Sequence, residues 1–279
     1  VYIYGFYTGY VAYNDFTQEY YDTLQGALRM VADSTPTTVT LYANCGTFVE
    51  EDATAMLVTT GAASNVTLNL NGYHAVGRIT NNGTFTLELN GGSLAYKTGA
   101  PAAAAAYQGA ATVINNGTLN IQDSVGGGYV TSDAIDNSST ISNYASAVRN
   151  NASGKLTIRN STITGNTAAS RGGGIYVGTN AAVFNNGGKI LNISGAVIQS
   201  IATTGKASTV KSGYGLLNFN GGTITTIQDS SFLAYASYGI FNLGATIDEM
   251  ENVSFRTDPS GVARTTTSYY GILNRNRVS

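Results

Sequence analysis

The chain has 279 residues, a formal net charge of −2 and only 11% charged side chains, with Gly, Asn, Ser and Thr supplying most of the polarity. A balance this close to neutral leaves no electrostatic footprint for nucleic acid, and no apolar run reaches the length of a membrane span. Composition also excludes disorder, because 43% of the residues are hydrophobic and 19 are tyrosine.

Residues 1–14 (VYIYGFYTGYVAYN) are aromatic and alternate like a strand. Residues 22–33 read as a helix, with Leu24, Ala27, Leu28 and Val31 on one face. Asp22 is the expected N-cap, with Gln25 completing a capping box, and Thr35-Pro36 ends the element. A strand and short helix at residues 1–36 are what an open β-stack needs over its first coil. Cys45 follows, the one cysteine, and cannot form an internal disulfide. It reads as a small buried or turn residue, since no histidine or basic residue lies near it in sequence to stabilise a thiolate.

From residue 37 the pattern changes to period two. Eight β-runs begin at Thr38, Val66, Phe85, Leu119, Leu156, Ile190, Ile224 and Thr246. Between them a phrase recurs: two apolar residues, an Asn, a few turn residues, then a β-run. Its Asn residues are Asn81, Asn115, Asn150, Asn185, Asn218, Asn242 and Asn274, at steps of 34, 35, 35, 33, 24 and 32. Repeats of this length indicate stacked coils. Steps near 20 residues fit one bare coil of a parallel β-helix, and steps near 34 fit a coil with a longer loop on one side. At about 4.8 Å per coil, seven or eight coils make a rod roughly 35–40 Å long. The Asn column is read as structural, with left-handed turn conformations and amide ladders between coils. Asn82, Asn116 and Asn151 begin N-x-Ser/Thr triplets that follow from the same turn grammar and are not read as glycosylation sites.

Two further columns concern binding. Tyr214, Tyr238 and Tyr270 hold one repeat position and should stack, with Tyr144 and Tyr176 as extensions. They serve either as internal packing or as a sugar- or protein-binding strip. By alternation Ile79, Val113, Val148, Val183, Leu216, Ile240 and Ile272 point inward. Their neighbours Thr80, Ile114, Arg149, Phe184, Leu217, Phe241 and Leu273 therefore point outward. The apolar half of that outward column is either a partner-binding stripe or is covered by long loops or the N-terminal aromatic strand. The irregular segments 99–111 and 123–143 are expected to bulge from one side of the rod.

Little here points to catalysis. Glu50-Glu51-Asp52 and the pair Asp133 and Asp136 read as solvated loop charges, while Asp123 and Asp229 hold similar places after their β-runs and could meet across coils. His74, the only histidine, has no visible partner and reads as a coil-corner residue. The triple glycines at 126–128 and 172–174 are turn residues, not phosphate loops. The chain begins at Val1 and ends partway through a coil. It is read as a trimmed segment of something longer, whose far end continues, meets a neighbour or stacks on another copy.

Specific stretches resemble a known group. The opening YYDTLQGALRMVADSTPTTVTLYANC resembles the entry segment of adhesin-like surface proteins of Gram-positive gut bacteria, and VTLNLNGYHAVG and NNGTFTLELNGGSL resemble their first coils. LTIRNSTITGNTAASRGGGIYV, with Ile163, Asn166, Gly173, Gly174 and Ile175, resembles the repeat of polymorphic outer-membrane and adhesin-like proteins. The resemblance implies an extracellular protein of the pectin-lyase-like superfamily, either secreted or displayed on the cell surface.

The expectation is therefore an all-β, right-handed parallel β-helix over residues 37–279 behind a strand-helix cap at 1–36. Its expected role is non-enzymatic, adhesin-like or stalk-like. It would bind a glycan or a surface protein through Tyr214, Tyr238, Tyr270, Phe184, Leu217 and Phe241, with no cofactor, metal, nucleic acid or membrane insertion. The alternatives are a polysaccharide lyase or glycoside hydrolase on the same fold, and a self-assembling filament subunit or tailspike-like fibre.

Overall fold

The computed structural model describes residues 9–31, 34–45, 57–96, 111–132, 146–171, 175–178, 181–202, 213–234, 238–257 and 271–275. The cap consists of β1 (Ala12–Asn14), β2 (Glu19–Tyr21) and α1 (Leu24–Arg29), followed by β3 (Pro36–Leu41). Strands then come in threes. The first two coils are β4 (Leu57–Thr59), β5 (Asn65–Asn69), β6 (His74–Val76) and β7 (Arg78–Asn81), β8 (Thr84–Glu88), β9 (Ser93–Tyr96). Next are β10 (Ala111–Asn115), β11 (Thr118–Gln122), β12 (Tyr129–Ser132) and β13 (Ser146–Asn151), β14 (Lys155–Arg159), β15 (Thr162–Arg171), with β16 (Ile175–Gly178) appended. The rod continues with β17 (Ala181–Asn186), β18 (Lys189–Ser194), β19 (Val197–Ala202) and β20 (Tyr214–Phe219), β21 (Thr223–Gln228), β22 (Ser231–Ala234). The last strands are β23 (Ile240–Leu243), β24 (Thr246–Glu251), β25 (Ser254–Thr257) and β26 (Ile272–Arg275).

Each triplet contributes one strand to each of three sheets. The first sheet runs β2-β1-β3-β5-β8-β11-β14-β18-β21-β24, the second β26-β23-β20-β17-β13-β10-β7-β4, and the third β25-β22-β19-β15-β12-β9-β6. From β3 onward neighbouring strands of each sheet pair in parallel, coil on coil. This is a right-handed parallel β-helix, as the repeat implied. All eight β-runs read from the sequence fall in the first sheet.

The lumen is filled by in-register columns. Phe85, Leu119, Leu156, Ile190, Ile224 and Ile247 form one, each paired with the next. Leu87, Ile121, Ile158, Ile193, Ile227 and Met250 form the other. Full burial of each such side chain contributes about 1.5–3 kcal/mol. Between β14 and β18 the register shifts at Leu156/Thr157. The inward anchors, two residues apart at Leu156 and Ile158, become three apart at Ile190 and Ile193, and Leu191 turns outward. Strands β21 and β24 keep the three-residue spacing, so the bulge is carried through the rest of the rod.

The β4-to-β7 step is 21 residues, joined to β7 through Gly77 alone. That is the bare coil. In the longer coils the extra residues fall in the connection from the third sheet to the second, at 97–110, 133–145 and 203–212, outside the described residues. The other two corners are closed by short turns, and part of an expected bulge belongs to one of them: residues 123–128 turn around the Asp123 carboxylate and lead into β12 of the third sheet. Of the other expected insertions, 99–110 and 133–143 lie outside the described residues, and Ala111 opens β10.

Several expectations need correction. The helix spans Leu24–Arg29, not 22–33, and its N-cap is Thr23, whose hydroxyl accepts the Gly26 N–H at 3.0 Å, not Asp22. Leu24, Ala27 and Leu28 are buried and Val31 packs beside them, so the apolar face is as read. At the far end the buried Asn14 amide donates to the Ala27 and Met30 carbonyls at 2.9 and 3.1 Å, satisfying acceptors that a helix end leaves open. The first strand is the short β1, antiparallel to both β2 and β3; residues 1–8 lie outside the described residues. Ile272, expected inside, is 39% exposed because β26 is the last strand of the second sheet and has a neighbour on one side only.

Candidate functional site

The Asn column is a continuous ladder. The side-chain amide of Asn81 donates to Asn115 Oδ1 at 2.8 Å, Asn115 to Asn150 at 2.7 Å, and Asn150 to Asn185 at 2.8 Å. Asn185 donates to Asn218 at 2.7 Å, Asn218 to Asn242 at 2.8 Å, and Asn242 to Asn274 at 3.0 Å. The same amides also donate to backbone carbonyls of the adjoining corner, such as Lys155 O and Gly154 O. The series is unidirectional, so each bond polarises the next. A Cβ at Gly154 would stand 2.2 Å from Asn150 Oδ1, which is why glycine follows the ladder there.

The ladder asparagines are not left-handed, contrary to the expectation. Positive φ belongs to a different set, including Asn71, Asn90, Asn160 and Asn252, and these close the corner between the first and third sheets. One Asn population thus supplies amides and another supplies backbone shape. A second ladder links the N-x-Ser/Thr asparagines: Asn116 donates to Asn82 at 2.9 Å and Asn151 to Asn116 at 2.8 Å. It stops at Asn186, whose Oδ1 is buried without a hydrogen-bond partner.

The outward column of the second sheet becomes a second apolar cluster, separate from the lumen. Ala181, Phe184, Leu217, Phe219 and Phe241 are buried in it, and Tyr214, Tyr238, Leu243 and Leu273 pack against it half-buried. Tyr214 and Tyr238 stack at 6.3 Å with 7° between planes, and Phe241 lies 5.2 and 5.9 Å from them. The Arg149 guanidinium closes one end of the column, 5.0 Å over the Phe184 ring. Its Nε donates to Asn151 Oδ1 at 3.0 Å, and burial lowers its pKa from the ordinary value. Tyr270 and Tyr144 lie outside the described residues. Tyr176 does not extend the column: β16 pairs antiparallel with β15, and the register neighbour of Tyr214 is Ala181. Strand β1 sits at the cap end of the first sheet, so that part of the N-terminal aromatic segment is remote from Phe184, Leu217 and Phe241.

The corner acids are structural. Asp123 is buried, and one carboxylate accepts from the backbone N–H groups of Gly91, Gly126 and Gly128 at 2.9, 3.0 and 2.6 Å and of Val125 at 3.3 Å. Burial pushes its pKa up, but these N–H donors outweigh it and hold the carboxyl below the ordinary value. Glu88 accepts from Gln122, Ser124 and Asn90. Asp229 does occupy the column of Asp123, with Asn160 and Gly195 between them. Three coil steps separate the two carboxyls by about 14 Å. Residues 50–52, Asp133 and Asp136 lie outside the described residues. His74 opens β6 at a coil corner, its Nδ1 2.7 Å from Ser93 Oγ. Burial pushes the Cys45 thiol up to about 11.

One surface escaped the sequence reading. Tyr10, Tyr20 and Tyr42, with Gln18 and Glu19, line a groove of about 730 Å³ over the cap. Its signal was only the density of tyrosines, because the pairing of β1 with both β2 and β3 is what brings them together.

The fold and its ladders define a parallel β-helix solenoid. No protein family matches the chain, and no curated protein or solved structure matches it either.

Proposed function

We propose that the chain is a non-enzymatic, adhesin-like stalk module of a secreted or surface-displayed bacterial protein. It would hold an aromatic lateral strip, Tyr214, Tyr238 and Tyr270, over the supporting layer of Phe184, Leu217 and Phe241, and bind a glycan or a surface protein there. The observation that carries this reading is the ladder: the repeated polar side chains are spent on joining coil to coil. The spacing of Asp123 and Asp229, about 14 Å by coil rise, supports it further, since paired glycosidase carboxylates stand about 5–9.5 Å apart. The resemblance of the entry segment and first coils to adhesin-like proteins of Gram-positive gut bacteria supports the extracellular setting. A glycan array with the wild type and a Tyr214/Tyr238/Tyr270 triple alanine variant tests it. The expected result is at least one glycan bound by the wild type and lost by the triple variant, with no sugar released from polysaccharides. No binding by the wild type, together with cleavage of any glycan, overturns the reading.

A further inference from the structure

We infer that the groove over the N-terminal cap is a binding site for a neutral glycan, seated on Tyr10, Tyr20 and Tyr42 and held by Glu19 and Gln18. This goes beyond the lateral strip, and either surface can fail without the other.

Exposure comes first. Tyr10, Tyr20 and Tyr42 are 45%, 53% and 48% exposed, although an apolar ring gains from burial. They are contiguous and not scattered: Tyr20 lies 5.9 Å from Tyr10, 4.8 Å from Tyr13 and 5.8 Å from Tyr42, centroid to centroid. The interplanar angles are 42°, 51° and 62°, so the rings meet tilted or edge-on and not in a parallel stack. A contiguous exposed aromatic patch on a concave surface marks a ligand site.

The polar lining narrows the class. Glu19 offers only acceptors, whereas the Gln18 carboxamide both donates and accepts. A pyranose fits this set, because it presents C–H groups from one face to a ring and hydroxyls at its edge to a carboxylate and an amide. Among the described residues Glu19 is the one charged group lining the groove, so a uronic or sialic acid would face a like charge there, and a neutral glycan fits the lining better. A proline-rich peptide fits less well: proline has no N–H to offer the carboxylate, and its carbonyls would face it.

The site is held in shape. Gln18 adopts φ +57°, a left-handed conformation unusual for a residue with a long side chain, and Glu19 follows at the start of β2. The Tyr21 hydroxyl lies 3.1 Å from Thr17 Oγ1 and 3.3 Å from Glu19 Oε2, tying the turn to the acid. Glu19 also stands opposite Asn14, whose side chain is anchored in the helix end.

Saturation-transfer NMR and titration calorimetry with cellotetraose, maltotetraose, mannotetraose and chitotetraose test the inference on the full chain. At least one should receive saturation from the wild type, and Tyr20→Ala should weaken its Kd about tenfold, as loss of one aromatic contact implies. Tyr20→Phe, which keeps the ring face, should bind within about twofold of the wild type by the same argument. Glu19→Gln changes one exposed side chain and keeps the fold, so it reports even if Tyr20→Ala does not fold, and it too should weaken binding. Tyr214→Ala and Tyr238→Ala should leave this binding unchanged. The inference is overturned if none of the four sugars binds, or if Tyr20→Ala or Glu19→Gln binds as the wild type does. It also falls if binding is lost only in the lateral variants, or if a proline-rich decapeptide binds where the sugars do not.

Discussion

Asparagine does two unrelated jobs in this chain, and the difference is visible side chain by side chain. Asn150 accepts from Asn115 and donates to Asn185, Gly154 O and Lys189 O, all in a buried corner. Asn150→Ala strips partners from both neighbouring amides at once, and unpaired buried groups each cost about 1–3 kcal/mol, so a loss of about 2–4 kcal/mol is expected. Asn116→Ala, in the half-buried outer ladder, should cost about 1 kcal/mol. Urea unfolding midpoints of the two variants check this, and equal losses would show that the inner ladder has no special weight. Asp123 makes a second prediction. Its folded pKa lies below the unfolded carboxylate value of about 3.9. The stability it contributes is thus fully present above that unfolded value and is lost as pH falls through the lower folded value. The wild type should lose stability on acidification below about pH 4 more steeply than Asp123→Asn, as read by thermal melts between pH 2 and 7.

Strands and helix differ in how plainly the residues announced them. The first sheet was legible because its strands alternate Leu, Ile, Val and Phe with polar residues, Thr and Asn in Val66 to Leu70 and Thr and Glu in Phe85 to Leu89. The third sheet was not: runs such as Ser93–Tyr96 and Ser231–Ala234 are four residues long and rich in small side chains, and their neighbours in the stack dictate their extended form. The groove residues were illegible for a different reason. Tyr10, Tyr20 and Tyr42 are neighbours only because β1 lies between β2 and β3, and no spacing encodes that. The helix start was misread by one residue, since Asp22 and Thr23 are both good caps in isolation. The structure selects Thr23, which predicts that Thr23→Ala costs about 1 kcal/mol whereas Asp22→Ala costs a few tenths at most. Thermal melts of the two variants decide it, and the reverse order would restore Asp22 as the cap.

A stack in which each coil touches only the next should not be uniformly stable. In such a solenoid, stability is a sum of coil and nearest-neighbour terms, and a terminal coil has one neighbour instead of two. The first and last described coils differ in how far they are covered. At one end the β1–β2 hairpin pairs with β3, and Leu24, Ala27 and Leu28 of α1 close over the lumen. At the other, Ile247, Met250 and Phe255 are only partly buried, and β24 is the edge strand of its sheet. Asp248, Glu249 and Glu251 on that strand are exposed carboxylates, which discourage pairing with an identical edge. Fraying should therefore start at β24, β25 and β26 and decay toward the middle of the rod. Hydrogen-exchange mass spectrometry should find the slowest exchange in peptides covering β8, β11 and β14, intermediate rates in β18 and β21, and the fastest among ladder strands in β24 to β26. Peptides covering β3 and β5 should be slower than those covering β24 to β26, because the hairpin and helix cover the former, whereas Ile247, Met250 and Phe255 are only partly buried. Uniform exchange along the rod would mean that the coils open as one cooperative unit and that the partial burial of Ile247 and Met250 carries no energetic consequence.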